Sequence, residues 1–339
     1  MPGEIISLNP RVSPQEYFNA NQAKLSVVPD GTGLQILFKV KGEYYILAGV
    51  RTGKVITVNG GTIDKPRTQE PFAAQLAEEL NEETFGVLSL AYDETRGYEL
   101  ILNDGSRHAL SMQDEHAFMV HKPGKYAYVT FTAVCQSLTL AQLNTLAEAM
   151  TPTAHFWNEI GNDLFKKSAD APQDTSFAQY WESHRPGRTQ LIANLVETHK
   201  QLTASGTPLL IDPTDVFQAE TLEESLDKLH QIADYAAFDT MFRHTVGAYS
   251  ERSGYHVFPA SELARVAALP IDVADKSVKD AHGQKVTNQG IYNPDPVAVV
   301  IPALIKEATP SVVPVSVFPS ASTSSDAPTL VTLHGHYNR

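Results

Sequence analysis

The chain has 339 residues and a formal net charge of −13, with 26 Lys and Arg against 39 Asp and Glu. This length allows a large buried core in one elaborated domain or two. The acidic balance argues against extended nucleic acid as a partner, because binding to a phosphate backbone relies on a basic surface. The single cysteine, Cys135, excludes a disulfide within the chain and favours a reducing, cytoplasmic setting; it ends a strand-like run and is predicted to be a buried thiol.

No segment is predicted to enter a membrane. The first ten residues lack the basic start and the apolar stretch of a signal peptide. The longest apolar run, residues 297–305, is about half as long as a bilayer requires and contains Pro302. Residues 308–339 are rich in Pro, Ser and Thr and are predicted to be a flexible tail, in which His334 and His336 are a weak candidate for a metal site. The composition is compatible with a homo-oligomer.

Residues 1–137 are predicted to be mostly β-structure around one helix. The runs LQILFKV and YYILAGV are apolar and rich in strand-forming residues, and the short link Lys41–Glu43 between them suits a hairpin. The pair Gly60 and Gly61 interrupts the pattern before the helix. Five further strand-like runs follow the helix, namely VLSLAY, YELILN, HALSM, HAFMVH and AYVTFTAV.

Residues 138–249 change to helical periodicity, and Thr221 with Glu224 forms a capping-box pattern. We therefore predict a helical insertion or appended subdomain there. Residues 250–307 return to mixed strand and helix character. Trp157 and Trp181 lie in the helical segment, where core packing is the first interpretation; stacking on a base or lining a pocket is the alternative.

A helix rich in carboxylates is predicted between Pro71, which suits a first turn, and Gly86, which suits an end. Phe72, Leu76 and Leu80 recur every four residues and form one apolar stripe that should face the core. The opposite side is expected to carry the acids. These are Glu78, Glu79, Glu82 and Glu83.

The acids of this helix have no Lys or Arg at the positions three and four residues away. Like charges at this spacing repel, and anions are disfavoured near the C-terminal end of a helix. A solvated charged face is the ordinary interpretation of such a run. A divalent cation is the alternative, because Mg²⁺ takes carboxylate oxygens together with water and substrate phosphates.

The same stretch resembles the Nudix hydrolase motif G-x5-E-x7-R-E-U-x-E-E-x-G-U, where U is a bulky aliphatic residue. Glu70 matches the first motif glutamate, and Glu79, Leu80, Glu82 and Glu83 match E-U-x-E-E. Three positions of residues 60–88 differ from the motif: Glu78 replaces the arginine, and Asp64 and Phe85 stand at the two glycines. The resemblance implies an α/β Nudix-type fold, with a mixed sheet packed with helices in residues 1–137 and closing elements in residues 250–307.

The resemblance also implies a metal-dependent hydrolase that cleaves the diphosphate of a nucleoside diphosphate linked to another moiety. Mg²⁺ or Mn²⁺ would be held by Glu79, Glu82 and Glu83, which are the catalytic candidates, with Glu70 as a further ligand. The general base stays open among Glu83, Asp114 and Glu115. Gly60 and Gly61 are expected at the substrate. Four basic residues near the carboxylate helix either supply local positive charge for a phosphate chain or are ordinary loop charge; these are Arg51, Lys54, Lys65 and Arg67.

A second interpretation is a catalytically degenerate Nudix fold that acts as a nucleotide sensor or a protein-interaction module. The exchange of the motif arginine for Glu78 and the long helical segment both favour it. Phosphate release from a panel of nucleotides, with and without Mg²⁺, separates the two.

Overall fold

A computed structural model describes residues 3–63, 65–112, 114, 117–164, 188–230 and 246–308. The predictions made for Asp64, Glu115, Trp181 and the tail with His334 and His336 lie outside the described residues.

The described residues form thirteen strands and nine α-helices. The strands are β1 (Glu4–Ile6), β2 (Gly31–Val40), β3 (Glu43–Arg51), β4 (Lys54–Ile56), β5 (Asn59–Thr62), β6 (Leu88–Asp93), β7 (Gly97–Leu102), β8 (Arg107–Met112), β9 (Ala117–Lys122), β10 (Tyr126–Cys135), β11 (Tyr255–Pro259), β12 (Val278–Lys279) and β13 (Lys285–Thr287). The α-helices are α1 (Pro14–Ala20), α2 (Phe72–Glu83), α3 (Leu140–Asn158), α4 (Arg188–Ala204), α5 (Pro213–Val216), α6 (Leu222–His230), α7 (Ala248–Ser250), α8 (Ala260–Ala267) and α9 (Asp295–Ala308). A 3-10 helix at Lys65–Gln69 precedes α2, and a π-helical turn at Glu159–Leu164 follows α3.

Eleven of the described strands form one mixed sheet. Its main order is β11-β3-β2-β10-β8-β7-β6, with β4 and β5 paired to β3 and β2 and with β9 linking β1 to β10. The β2–β10 pair is parallel, whereas the other pairs in this sheet are antiparallel. The predicted α/β class with a mixed sheet is thereby confirmed. A fold specific to Nudix hydrolases stays a prediction.

The hairpin predicted at Lys41–Glu43 joins β2 to β3. Val40 pairs with Glu43, which leaves a two-residue turn. Lys41 and Gly42 both have positive φ, 51° and 91°. Such a turn matches the right-handed twist of the two strands it connects, so local chemistry sets this register.

Helices cover both faces of the sheet. Alternation along β2 places Leu34, Ile36 and Phe38 on the face covered by α2 and α3, and Leu37 on the face covered by α8 and α9. A strand that is buried on both faces reads as a continuous apolar run, as LQILFKV does. Cys135, at the end of β10, is 1 % exposed, which confirms the predicted buried thiol.

The sheet core continues into α3, and a second core begins within that helix. Met150 and Ala154 of α3 belong to the sheet core, whereas Phe156 and Trp157 pack with residues of α4 and α6. Trp157 is fully buried and donates its Nε1–H to the Ile211 carbonyl at 2.8 Å. The core interpretation of Trp157 is confirmed, and the change from sheet core to helical core falls inside α3.

No helix in the described part of the chain is both long enough and apolar enough to cross a membrane.

Candidate active site

Helix α2 docks on the sheet through the predicted stripe of Phe72, Leu76 and Leu80, all fully buried. Glu83 is also buried, at 7 % exposure, which corrects the prediction that the acids occupy the opposite side. Residue 83 lies three positions after Leu80 and seven after Leu76, so it shares their face of the helix. A buried carboxylate requires a compensating cation or several hydrogen bonds.

Two arginines supply cations that the local sequence lacks. Arg67, in the 3-10 helix before α2, pairs with Glu78 and, at 3.0 Å, with Glu70. Arg252 lies between α7 and β11 and pairs with Glu83 at 2.6 Å. No cation lies three or four residues away on the helix, as the sequence indicated, and the partners of Glu78 and Glu83 come from outside it.

Glu79 and Glu82 lack such partners. Neither side chain makes an ion pair or a hydrogen bond with the described residues. Burial raises the pKa of Glu79 to about 8, helped by the carboxylates of Glu83, Glu82 and Glu251. Burial also raises the pKa of Glu82, and Glu78 adds to the effect. The poorly solvated position of these two acids therefore disfavours their ionised forms.

Glu83 occupies a different electrostatic setting. Burial raises its pKa to about 7, while the positive charge and hydrogen bond of Arg252 oppose that rise. Its Oε2 also accepts the backbone N–H of Gly60 at 2.9 Å. Oε1 has no hydrogen-bond partner in the described part of the chain. One carboxylate oxygen is thus fixed and the other remains free for a ligand.

The Gly60–Gly61 pair lets β5 pass between β2 and α2. A Cβ at residue 60 would collide with the backbone of β2 and lie 2.7 Å from the Tyr128 hydroxyl. A Cβ at residue 61 would lie 2.9 Å from Oε2 of Glu79. The glycines that interrupt the strand pattern are therefore the points where the carboxylate helix approaches the sheet.

The end of α2 is unusual because a bulky residue adopts a left-handed conformation. Phe85 has φ 56° and Gly86 has φ 74°. The Phe85 ring is buried and packs edge-on against Tyr255 at a centroid distance of 6.1 Å. A non-glycine residue at positive φ costs free energy, so ring packing offsets the loss of the glycine that the motif has there.

A cleft of about 600 Å³ adjoins these residues. Its polar wall includes Arg51, Gly60, Gly61, Glu83 and Glu251. Its remaining lining is Ile56, Val58, Thr62, Val120, Tyr126, Tyr128, Thr130, Tyr292, Asn293, Pro294, Asp295 and Pro296. A concave site with an apolar and aromatic wall and a few convergent polar groups is typical of small-molecule binding.

The structure brings some of the predicted site residues to the cleft and not others. Arg51 lines it and pairs with Glu251 at 2.9 Å. Of the remaining predictions, Lys54, Lys65, Arg67, Glu70, Glu79, Glu82 and Asp114 are absent from the lining. Glu79 still reaches the site indirectly, through its contact with Gly61, whereas Asp114 accepts a hydrogen bond from Asn9.

Glu251 and Arg252 were missed by sequence reasoning. They follow α7 as adjacent residues of opposite charge in an irregular stretch, and neither belongs to a periodic pattern or to the motif. Because they lie far from Glu83 along the chain, no local sequence pattern indicated that they would be near it in the fold. Only the pairing of β11 with β3 brings this stretch beside β4 and β5.

The carboxylates are suitable donors for a hard divalent cation, but their side chains are not arranged to coordinate one. Mg²⁺ and Mn²⁺ prefer the oxygen donors that Glu79, Glu82, Glu83 and Glu251 would offer, and a bound cation would favour the ionised form of Glu79 that burial disfavours. Yet no group of three or more His, Cys, Asp or Glu side chains in the described ranges is arranged to hold a metal. Binding would therefore require side-chain rotation, with substrate oxygens completing the coordination.

No protein-family model, curated protein or solved structure matches this chain. The likeness to Nudix hydrolases consequently rests on the spacing of the glutamates.

Proposed function

We propose that the chain is a Nudix-type hydrolase that uses Mg²⁺ or Mn²⁺ to cleave the diphosphate of a nucleoside diphosphate linked to another moiety. The observation that carries the proposal is that Glu83, Gly60 and Gly61 line the same cleft as three tyrosines, Tyr126, Tyr128 and Tyr292. Carboxylate oxygens and aromatic rings are thus available in one cavity. A nucleotide requires both.

The side chains have distinct tasks in this proposal. Glu79, Glu82 and Glu83 would hold the cation, with Glu251 as a further carboxylate, and the cation would neutralise phosphate charge and activate a water molecule. Arg51 would contact a phosphate oxygen in exchange for Glu251. Tyr126 and Tyr292, each more than two-fifths exposed, would receive the base by stacking.

In this proposal the free Oε1 of Glu83 would bind the cation, and the bound cation would lower the pKa of its water, so no separate general base is assigned. Glu83 lines the cleft, whereas Asp114 does not. We also propose a cytoplasmic setting, because the chain has one cysteine and so cannot rely on a disulfide of its own.

The test is chromatographic detection of the two phosphorylated cleavage products of ADP-ribose, NADH, nucleotide sugars, dinucleoside polyphosphates and capped RNA, with Mg²⁺ or with EDTA. Glu82→Gln and Glu83→Gln should lower turnover by orders of magnitude. Glu148→Gln, an exposed change on α3, is the matched control and should leave turnover unchanged. Full activity in EDTA, or equal activity in the Glu83 variant, would refute hydrolysis by these residues.

A nucleotide-binding module without hydrolysis is the second candidate. The ion pair between Arg252 and Glu83 favours it, because Oε2 of that glutamate is already neutralised. In this case the same nucleotides should raise the melting temperature while no cleavage products appear. Replacement of Tyr126 by Ala should weaken that effect.

A further inference from the structure

Arg252 is a buried cation with incomplete hydrogen bonding. Its side chain is 2 % exposed, and its Nε and Nη1 have no hydrogen-bond partner in the described structure. Only Nη2 is well used: it lies 2.6 Å from Glu83 Oε2, 3.2 Å from the Val58 carbonyl oxygen and 3.3 Å from Asn59 Oδ1. Two unpaired donor atoms in the interior cost free energy.

This arrangement is poorly explained by stability alone. Burial of an ion pair carries a desolvation penalty that its attraction often fails to offset, and apolar side chains of similar volume are frequently as good or better. The neighbouring strand also accommodates the guanidinium at a glycine: a Cβ at residue 49 would lie 3.0 Å from Arg252 Nη1. The fold thus reserves space for an incompletely bonded arginine.

The contacts of Nη2 show what the arginine holds. Through Val58 and Asn59 it is fixed to the segment that leads into β5, and through Glu83 it is fixed to the end of α2. Gly60 of the same β5 segment donates its N–H to the same Oε2. Two donors on one oxygen leave Glu83 few orientations, and its Oε1 is left unbonded where the side chain meets the cleft.

We propose that Arg252 is a positioning residue, which fixes Oε2 of Glu83 so that Oε1 is presented to a divalent cation. The inference rests on the proposed function for the identity of that cation site. It concerns metal binding, so it can be tested whether or not hydrolysis occurs.

A positioning role and simple electrostatics predict opposite changes in Mn²⁺ affinity when Arg252 is removed. A positive charge next to a cation site repels the cation, so removal of Arg252 should tighten Mn²⁺ binding if charge alone mattered. Loss of a residue that orients a ligand typically weakens metal binding by about 10- to 100-fold. The direction of the change therefore decides between the two.

The experiment is titration of the full chain with Mn²⁺, in which the concentration of free Mn²⁺ is measured at each step by electron paramagnetic resonance. Arg252→Met should weaken binding by about 10- to 100-fold, and Arg252→Lys by less, because lysine keeps the charge but has no planar fork. Asn59→Ala keeps both charges and removes one contact to the guanidinium, so it should also weaken binding. Arg265→Met, which breaks an ion pair with Glu262, is the control and should bind as the wild type does.

Circular dichroism melts show which variants fold. If Arg252→Met does not fold, the two milder variants, Asn59→Ala and Arg252→Lys, decide the question. Unchanged or tighter Mn²⁺ binding in the folded variants overturns the positioning role, as does a wild type that binds no Mn²⁺. A wild type that binds Mn²⁺ but cleaves none of the nucleotides refutes the hydrolase proposal alone.

Discussion

The carboxylate of Glu79 lies against the α-carbon of Gly61, so a Cβ on residue 61 would fall 2.8 Å from Cδ and 2.9 Å from Oε2 of Glu79. Gly61→Ala should therefore displace this carboxylate, which sits at the free end of a rotatable side chain. We expect a small change in melting temperature, because the side chain can move, and a marked loss of any Mg²⁺-induced rise. A melting scan with and without Mg²⁺ measures both, and an unaltered Mg²⁺ response would show that Glu79 takes no part in metal binding.

Gly60→Ala should act differently, because its Cβ would meet the backbone of Gly33 and Thr32 in β2, which cannot rotate away. Overpacking of this kind costs about 1–3 kcal/mol. Gly254→Ala is the control: its nearest neighbour is Thr151 Cγ2 at 3.5 Å, an ordinary contact. Urea unfolding measures the stability of the two variants, and equal stability of Gly60→Ala and Gly254→Ala would contradict the packing argument.

Mg²⁺ or Mn²⁺ should raise the melting temperature more than Na⁺ at the same ionic strength, since a ligand at about 100 times its Kd adds about 2.7 kcal/mol. Na⁺ only screens. Glu79→Gln should raise the metal-free melting temperature slightly and reduce the metal-induced rise. Glu78→Gln makes the same charge change on the same helix, but Glu78 is 45 % exposed and paired with Arg67, so the metal response should persist. Equal increases in melting temperature with Mg²⁺ and Na⁺ would favour the interpretation that the acids of α2 form a solvated charged face.

Stability without metal should fall as the pH rises from about 4.5 to 8. The pKa of Glu79 rises from 4.5 to about 8 on folding, so in this window the unfolded carboxyl is ionised and the folded one binds a proton. The folded state then binds more protons, and the free energy of unfolding decreases with pH. Urea unfolding in EDTA at several pH values should give a shallower decline for Glu79→Gln; an identical decline would show that Glu79 ionises normally in the fold.

Trp157 and Tyr126 should give opposite phenotypes. Trp157 is fully buried, so Trp157→Ala should cost about 3–5 kcal/mol of stability. Tyr126 lines the cleft and is 41 % exposed, so Tyr126→Ala should leave stability nearly unchanged and weaken nucleotide binding by about 1–3 kcal/mol. Urea unfolding and nucleotide titration separate the two effects. A Trp157 variant that is stable but does not bind nucleotide would restore the stacking interpretation of that residue.

The sequence by itself determined the elements whose cause is local. The periodicity of Phe72, Leu76 and Leu80 predicted the buried stripe of α2, and the apolar, strand-forming runs LQILFKV and YYILAGV with the short Lys41–Glu43 link predicted the β2–β3 hairpin. These patterns depend on neighbours within a few residues. The Gly60–Gly61 pair was recognised as a break, although its reason, the approach of α2, was not visible locally.

Only the tertiary structure decided how the acids are neutralised and where the cleft lies. Helical spacing located the glutamates, but the cations that pair with Glu78 and Glu83 come from Arg67 and Arg252, outside the helix. Glu251 and Tyr292 reach the cleft because β11 pairs with β3 and because Ile291 bridges to Val55. Coulomb attraction depends on distance in space, and the long-range strand pairing that sets those distances leaves no periodic trace near the residues it joins.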